Sequence, residues 1–281
     1  MPVRLNASGL TDVGQTREHN EDSIFYLVTR DEHDQPLGLF ILADGVGGQL
    51  AGELASQWAV AAVRDALRDL FAPPGSQQTQ PLDNQRTPML KRVRVDAGQP
   101  PSQASLRERV LSAVQTGNLS VLGLTREKPA EAGNAGTTLT MALVHGTHAV
   151  VANVGDSRTY LIRGDDIRQI TRDHSLIAGL VESGNVKPED AFTHPARNVI
   201  VRSLGRDTDV EIDLFEEHLK VGDTLLLCSD GLWEMIRDDQ AIAAIIHRAP
   251  APLDACRGLI EAANAAGGAD NISVIAMRVE S

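Results

Sequence analysis

At 281 residues the chain is ample for a sizeable core, as one large domain or two small ones. A net charge of −12 argues against nucleic-acid partners, whose phosphates would be repelled, and leaves room for a carboxylate cluster offset by cations. Hydrophobic residues make up 42% but aromatics only 3%, so Ala, Leu, Val and Ile must do the packing. No apolar run approaches the ~18 residues of a membrane helix, and Met1–Ala7 has no signal-type apolar stretch, so a cytoplasmic protein without a membrane role is expected. Cys228 and Cys256 offer at most one disulfide, too few to scaffold the chain, and neither lies in a C-x-x-C pair.

Residues 3–9 alternate polar and apolar and predict a half-buried strand. Thr11–Asp22 is polar and loop-like, and Ser23–Thr29 and Leu37–Ala43 form a hairpin around the Arg30–Pro36 turn. From Ala51 the period becomes helical: Ala55, Trp58, Ala59, Ala62, Val63, Ala66, Leu67 and Leu70 share one face, expected to pack on a sheet. Ala72–Gln103, rich in Pro, Gln, Ser and Asp and carrying the basic patch Lys91–Arg94, is expected to be a surface insertion. A second helix follows through Leu106, Val110, Ala113 and Val114. The strands Thr137–His145, His148–Val154, Arg158–Arg163 and Asp166–Thr171, separated by tight Gly-containing turns, are expected to be antiparallel neighbours. His145 and His148 flank one such turn and are expected on the surface. Asp173–Gly184 reads as helical and Asn185–His194 as an exposed excursion. Asn198–Leu204, Val210–Phe215, Thr224–Ser229 and Asn271–Val279 read as strands, with helices at Asp238–His247 and Pro252–Ala266. These elements define an α+β class with one domain over residues 1–281.

Five acids stand out. Asp44, Asp156 and Asp230 each end a strongly apolar strand beside glycine, Asp270 precedes the last strand, and Asp22 closes the run Asn20-Glu21-Asp22. Any one of them is explicable as a turn residue. Buried together they would repel one another unless a cation compensated, and an all-oxygen set suits Mg²⁺ or Mn²⁺ better than zinc. Competing chemistries fail on the residues. Leu50 stands where a dinucleotide loop needs its third Gly, no Gly-Lys-Ser/Thr occurs, and Glu234 occupies the place of the Arg that a Cys228 nucleophile would need. Five acids with glycine neighbours also exceed the pair that a glycosidase requires.

Seven motifs in order resemble those of the metal-dependent protein phosphatases, the PPM or type 2C family, in compact bacterial form. They are Gly14-x-x-Arg17-x-x-Asn20-Glu21-Asp22, Ala43-Asp44-Gly45-Val46-Gly47-Gly48, Gly136-Thr137-Thr138, Val154-Gly155-Asp156-Ser157-Arg158, Thr171-Arg172-Asp173-His174-Ser175, Cys228-Ser229-Asp230-Gly231-Leu232 and Asp270-Asn271-Ile272-Ser273. The resemblance spans the chain apart from the 72–103 insertion. It implies a four-layer αββα sandwich of two packed antiparallel sheets with a two-metal site at one end. It further implies that Asp44 bridges two Mn²⁺ or Mg²⁺ ions, the Gly45 carbonyl and Asp22 serve one, and Asp230 and Asp270 serve the other. Glu21 is a less direct neighbour, Asp156 with Asp230 matches a third-ion site, and Arg17 grips the substrate phosphate. The implied activity is hydrolysis of phosphoserine and phosphothreonine proteins by metal-activated water, opposing a cognate Hanks-type Ser/Thr kinase. A silent phospho-binding module on the same fold is the alternative. Where some members carry a proton-donating His after Asp-Gly, this chain has Val46, leaving a metal-bound water or His174 as alternatives. His174–Leu204 lies where bacterial members carry a flap.

Overall fold

The computed structural model describes residues 3–48, 50–71 and 103–281. In chain order the elements are β1 (Arg4–Asp12), β2 (Asp22–Arg30), β3 (Pro36–Val46), α1 (Leu50–Ala66), α2 (Gln103–Glu127), α3 (Pro129–Ala132), β4 (Gly136–Thr137), β5 (Leu139–His145), β6 (His148–Val154), β7 (Arg158–Arg163) and β8 (Asp166–Gln169). There follow α4 (Leu176–Glu182), β9 (Asp213–His218), β10 (Thr224–Cys228), α5 (Asp230–Trp233), α6 (Asp239–Arg248), α7 (Pro252–Ala265) and β11 (Ile272–Glu280). Short 3-10 turns occupy Arg68–Phe71 and Pro188–Thr193. The expected insertion and its basic patch lie outside the described residues, except that Gln103 opens α2.

The strands form two antiparallel sheets, one ordered β1-β11-β10-β7-β8 and the other β2-β3-β5-β6-β9, with β4 paired to the end of β3. Alternation along the strands explains the layering. On β3, Phe40 and Leu42 point between the sheets with Leu225, Leu227, Ile275 and Met277, whereas Leu39, Ile41 and Ala43 point outward beneath α1 and α2. On β10, Leu226 and Cys228 turn outward under α6 and α7. Strands covered on both faces read as continuous apolar runs, which is why β3 and β10 carry no polar alternation in sequence. The result is the expected four-layer αββα sandwich.

Several local expectations are corrected. The Gly155-Asp156-Ser157 turn is no hairpin: β6 and β7 belong to different sheets, and this turn carries the chain across the sandwich. Asn198–Leu204 makes only isolated bridges, Ile200 to Ser175 and Leu204 to Thr137, because its two ends meet different partners and no ladder can run. The strand expected at Val210–Phe215 lies at Asp213–His218, with Val210 and Ile212 packed against the helix-side core instead. On α1 the buried face runs through Ala51, Ala55, Ser56, Ala59, Val60 and Val63, which leaves Trp58 40% exposed. Both cysteines are buried and free rather than paired. His148 is buried on Glu216 and His145 is bound to Asp31, so neither is a plain surface residue.

Candidate active site

The antiparallel register brings the acids together. β2 begins where β3 ends, so Asp22 sits directly opposite Asp44 on the face that Leu42 presents to the second sheet. Asp230 follows β10, Asp270 precedes β11, and Asp156 lies in the crossover between β6 and β7. All five therefore gather at one end of the sandwich, in the mouth between the sheets.

Their supports are backbone and hydroxyl groups. Thr138 Oγ1 accepts from the Asp44 N–H at 3.0 Å, while the Asp44 carbonyl accepts from the Thr138 N–H and Thr137 Oγ1, each at 2.8 Å. Thr138 Oγ1 also bonds Ser157 Oγ at 2.7 Å, tying the Asp44 strand to the crossover beside Asp156. Ser229 Oγ donates to Asp22 Oδ2 at 2.8 Å and accepts from the Ser273 N–H. Asn271 acts as a clip: its Oδ1 accepts from the Glu21 N–H and its Nδ2 donates to the carbonyls of Val13 and His19. That clip holds the loop carrying Arg17 against the start of β11. Arg17 Nη2 donates to Asp270 Oδ2 at 2.6 Å, so the expected phosphate ligand stands at the rim of the cluster.

Electrostatics marks the cluster as strained without a counter-charge. Burial, followed by the fields of Asp22, Asp230, Asp156 and Asp270, pushes the Asp44 carboxyl well above its ordinary range, although one edge stays accessible at the rim. Asp230 is raised in the same way by burial and then by Asp156 and Asp270. Asp22 is pushed to about 7 mainly by burial, and Asp156 to about 7 by burial and then Asp173. The Oδ1 atoms of Asp22, Asp156 and Asp230 are buried with no hydrogen-bond partner. Orphaned carboxylate oxygens in mutual repulsion are the donor set a hard dication satisfies, so the residues fit Mn²⁺ or Mg²⁺. Among the described residues no three Asp, Glu, His or Cys side chains alone enclose one point. A hard dication held there would draw its remaining ligands from water and backbone oxygens, as magnesium commonly does.

Further groups, which motif spacing alone does not single out, support the site. Arg158 grips Asp173 through Nε and Nη2 at 2.6–3.1 Å, donates from Nη1 to Tyr160 Oη, and lies 3.6 Å over the Trp233 ring. Trp233 Nε1 in turn donates to the Asp156 carbonyl at 3.1 Å. Arg158 and Asp173 each stand inside a motif, but nothing in the spacing shows that they pair with one another or stack on Trp233. Half-buried Glu234 also faces the acids, its carboxyl raised chiefly by burial. His174 does not face the cluster as a free proton donor. Its Nδ1 accepts from the Gly155 N–H at 3.1 Å, and its Nε2 lies 2.9 Å from Arg202 Nη1 and 3.3 Å from Asp213 Oδ2.

A two-sheet sandwich with an acid-lined mouth and an arginine at its rim defines a metal-dependent phosphate-ester hydrolase. The protein phosphatase 2C family profile matches residues 14–264. The serine/threonine phosphatase stp of Listeria innocua is 35% identical over 271 residues, 96% of this chain and 94% of that protein. Protein phosphatase PhpP of Streptococcus pneumoniae is 33% identical, covering 96% of each chain. Among solved structures, the Mycobacterium tuberculosis serine/threonine phosphatase PstP/Ppp superposes with a TM-score of 0.78 at 31% identity over 99% of both chains. The PstP catalytic domain in complex with two manganese ions gives 0.77 at 30% identity, covering 99% of this chain and all of that one. The chain belongs to the protein phosphatase 2C family. It is a metal-dependent serine/threonine phosphoprotein phosphatase using two Mn²⁺ or Mg²⁺ ions.

Proposed function

We propose that Asp44, Asp22, Asp230, Asp270 and the Gly45 carbonyl hold the two catalytic ions, with Asp156 and Asp230 serving a third, and that Arg17 binds the substrate phosphate. The observation that carries this reading is the convergence of five acids, three with orphaned buried oxygens, beside an arginine already bonded to one of them. When bound, the ion pair supplies Lewis acidity and an activated water at neutral pH. The protein's own part is geometric. Thr137 and Thr138 fix the Asp44 backbone, Asn271 fixes the Arg17 loop, and the planar fork of Arg17 suits the phosphoryl oxygens. Val46 has no transferable proton and His174 is engaged with Gly155, so solvent protonates the leaving alkoxide in this reading.

The substrates in this reading are phosphoserine and phosphothreonine proteins of the cytoplasm, phosphorylated by a cognate Ser/Thr kinase. No described helix is long and apolar enough to cross a membrane. Residues 1–281 act as one catalytic domain, with residues 174–204 as a flap beside the acids. Support for the flap comes from its anchors: the His174 N–H donates to the Gly155 carbonyl, and Leu204 and Thr137 exchange two backbone bonds. The test is Mn²⁺-dependent phosphate release from a phosphothreonine peptide, with Asp44→Asn and Asp230→Asn each expected to lose about 100-fold or more. Equal release by wild type and both variants, or full activity in EDTA, would sink the assignment.

A further inference from the structure

The end of the sandwich away from the acids holds a second polar cluster. β6 runs from His148 toward Asp156, so roughly 20 Å of strand separates the two ends. Register sets His145 opposite His148 and His148 opposite His218, which lines the three imidazoles along one face of β5, β6 and β9. His148 is only 7% exposed. Its Nε2 lies 3.1 Å from Glu216 Oε2, and Glu216 also receives Arg107 from α2 at 3.3 Å. A carboxylate on Nε2 holds the proton there and leaves the Nδ1 lone pair free. That Nδ1 is buried and has no hydrogen-bond partner.

The neighbouring ring is well placed to complete a pair. His218 is exposed, its centroid 5.3 Å from that of His148 with the planes tilted by 44°. Two imidazoles sharing one tetrahedral zinc at about 2.0–2.1 Å put their centroids about 5 Å apart. His145 is occupied elsewhere, its Nε2 2.7 Å from Asp31 Oδ2. We propose that His148 Nδ1 and His218 form a second cation site for a nitrogen-seeking dication, Zn²⁺ above all, with Glu216 orienting His148 from behind. No third Asp, Glu, His or Cys among the described residues joins them in ligating geometry, so the remaining positions fall on the exposed His218 side, where water supplies them, and binding is weaker than at a closed zinc site. Occupancy pins the edge strand β9 to β6.

The experiment titrates Zn²⁺ into the protein under saturating Mg²⁺, which occupies oxygen sites and ignores imidazole pairs. The readouts are the ring ¹⁵N signals of His148 and His218 and the melting temperature. Both ring signals should move together with a stoichiometric addition, and the melting temperature should rise. Exposed His218→Ala should abolish the His148 ring response and lessen the rise in melting temperature, and Glu216→Gln should weaken binding at the rings about 10–100-fold. Phosphate release in Mg²⁺ should be unchanged in either variant. His148→Gln, checked for folding by its melting curve, should behave as His218→Ala. Unmoved ring signals, or identical Zn²⁺ responses in wild type and His218→Ala, would overturn the site. The ring signals decide the matter and are independent of whether the acid cluster binds ions, and the melting temperature is read as the difference between wild type and His218→Ala.

Discussion

Gly45 is wedged between β2 and the first turn of α1: a Cβ there would collide with the Gly52 carbonyl and lie 2.7 Å from the Glu21 carbonyl oxygen. Both obstacles are backbone, so neither can rotate away. Gly52 is constrained from the other side, since its own Cβ would lie 2.9 Å from the Gly45 carbonyl carbon and would displace the Glu21 carboxylate. These glycines let β2, β3 and α1 approach closely enough to set Asp22 and Asp44 side by side. Gly45→Ala is therefore expected to cost about 1–3 kcal/mol or more in urea unfolding, with a further loss of phosphate release as Asp44 shifts. Unchanged stability would mean that α1 can move freely off β3.

At the scale of elements, the crossover from β6 to β7 decides where Asp156 goes, and the Arg158–Asp173–Trp233 assembly decides how firmly it stays. Arg158 and Asp173 are 16% and 11% exposed, so their pair is largely desolvated. Arg158→Met should leave Asp173 uncompensated and cost about 3–5 kcal/mol by denaturant titration. A loss below about 1 kcal/mol would show that water reaches the pair. The segment after this crossover carries α4, capped by Ser175 through the Ala178 N–H at 3.3 Å, and then the 3-10 turn. Replacing Glu182–Pro195 should change turnover of a phosphopeptide more than that of a small aryl phosphate, because only the longer substrate reaches past the acids. Equal effects on both substrates would remove the flap from substrate choice.

Over the whole molecule, the acid cluster links stability to pH and to cations. Asp22 and Asp156 are raised to about 7 from an ordinary value near 3.8, and Asp44 and Asp230 are raised as well. Between about pH 4 and 7 the ion-free folded state then holds more protons than the unfolded chain, so stability falls as pH rises. EDTA-treated protein should melt at a higher temperature at pH 5.5 than at pH 8, and Mn²⁺ should restore the loss at pH 8. A melting temperature that is flat with pH in EDTA would show that the carboxylates are better solvated than their burial implies.

The local chemistry was legible in the sequence because it is written locally. The apolar runs ending in Asp44 and Asp230, the glycines beside them and the helical stripe of α1 each follow from a few neighbouring residues. The order of the motifs then carried the resemblance that implied the sandwich and its ligand set. Tertiary structure decided what depends on register and on which sheet a strand joins. The short turn at Gly155-Asp156-Ser157 looks like a hairpin because a turn's length does not reveal its partner; only the packed sandwich makes it a crossover, and that crossover delivers Asp156 to the mouth. The roles of Asn271, Ser229 and Trp233 were hidden for the same reason, since each binds groups distant in sequence. His148 and His218 are seventy residues apart, and only the pairing of β6 with β9 makes them neighbours.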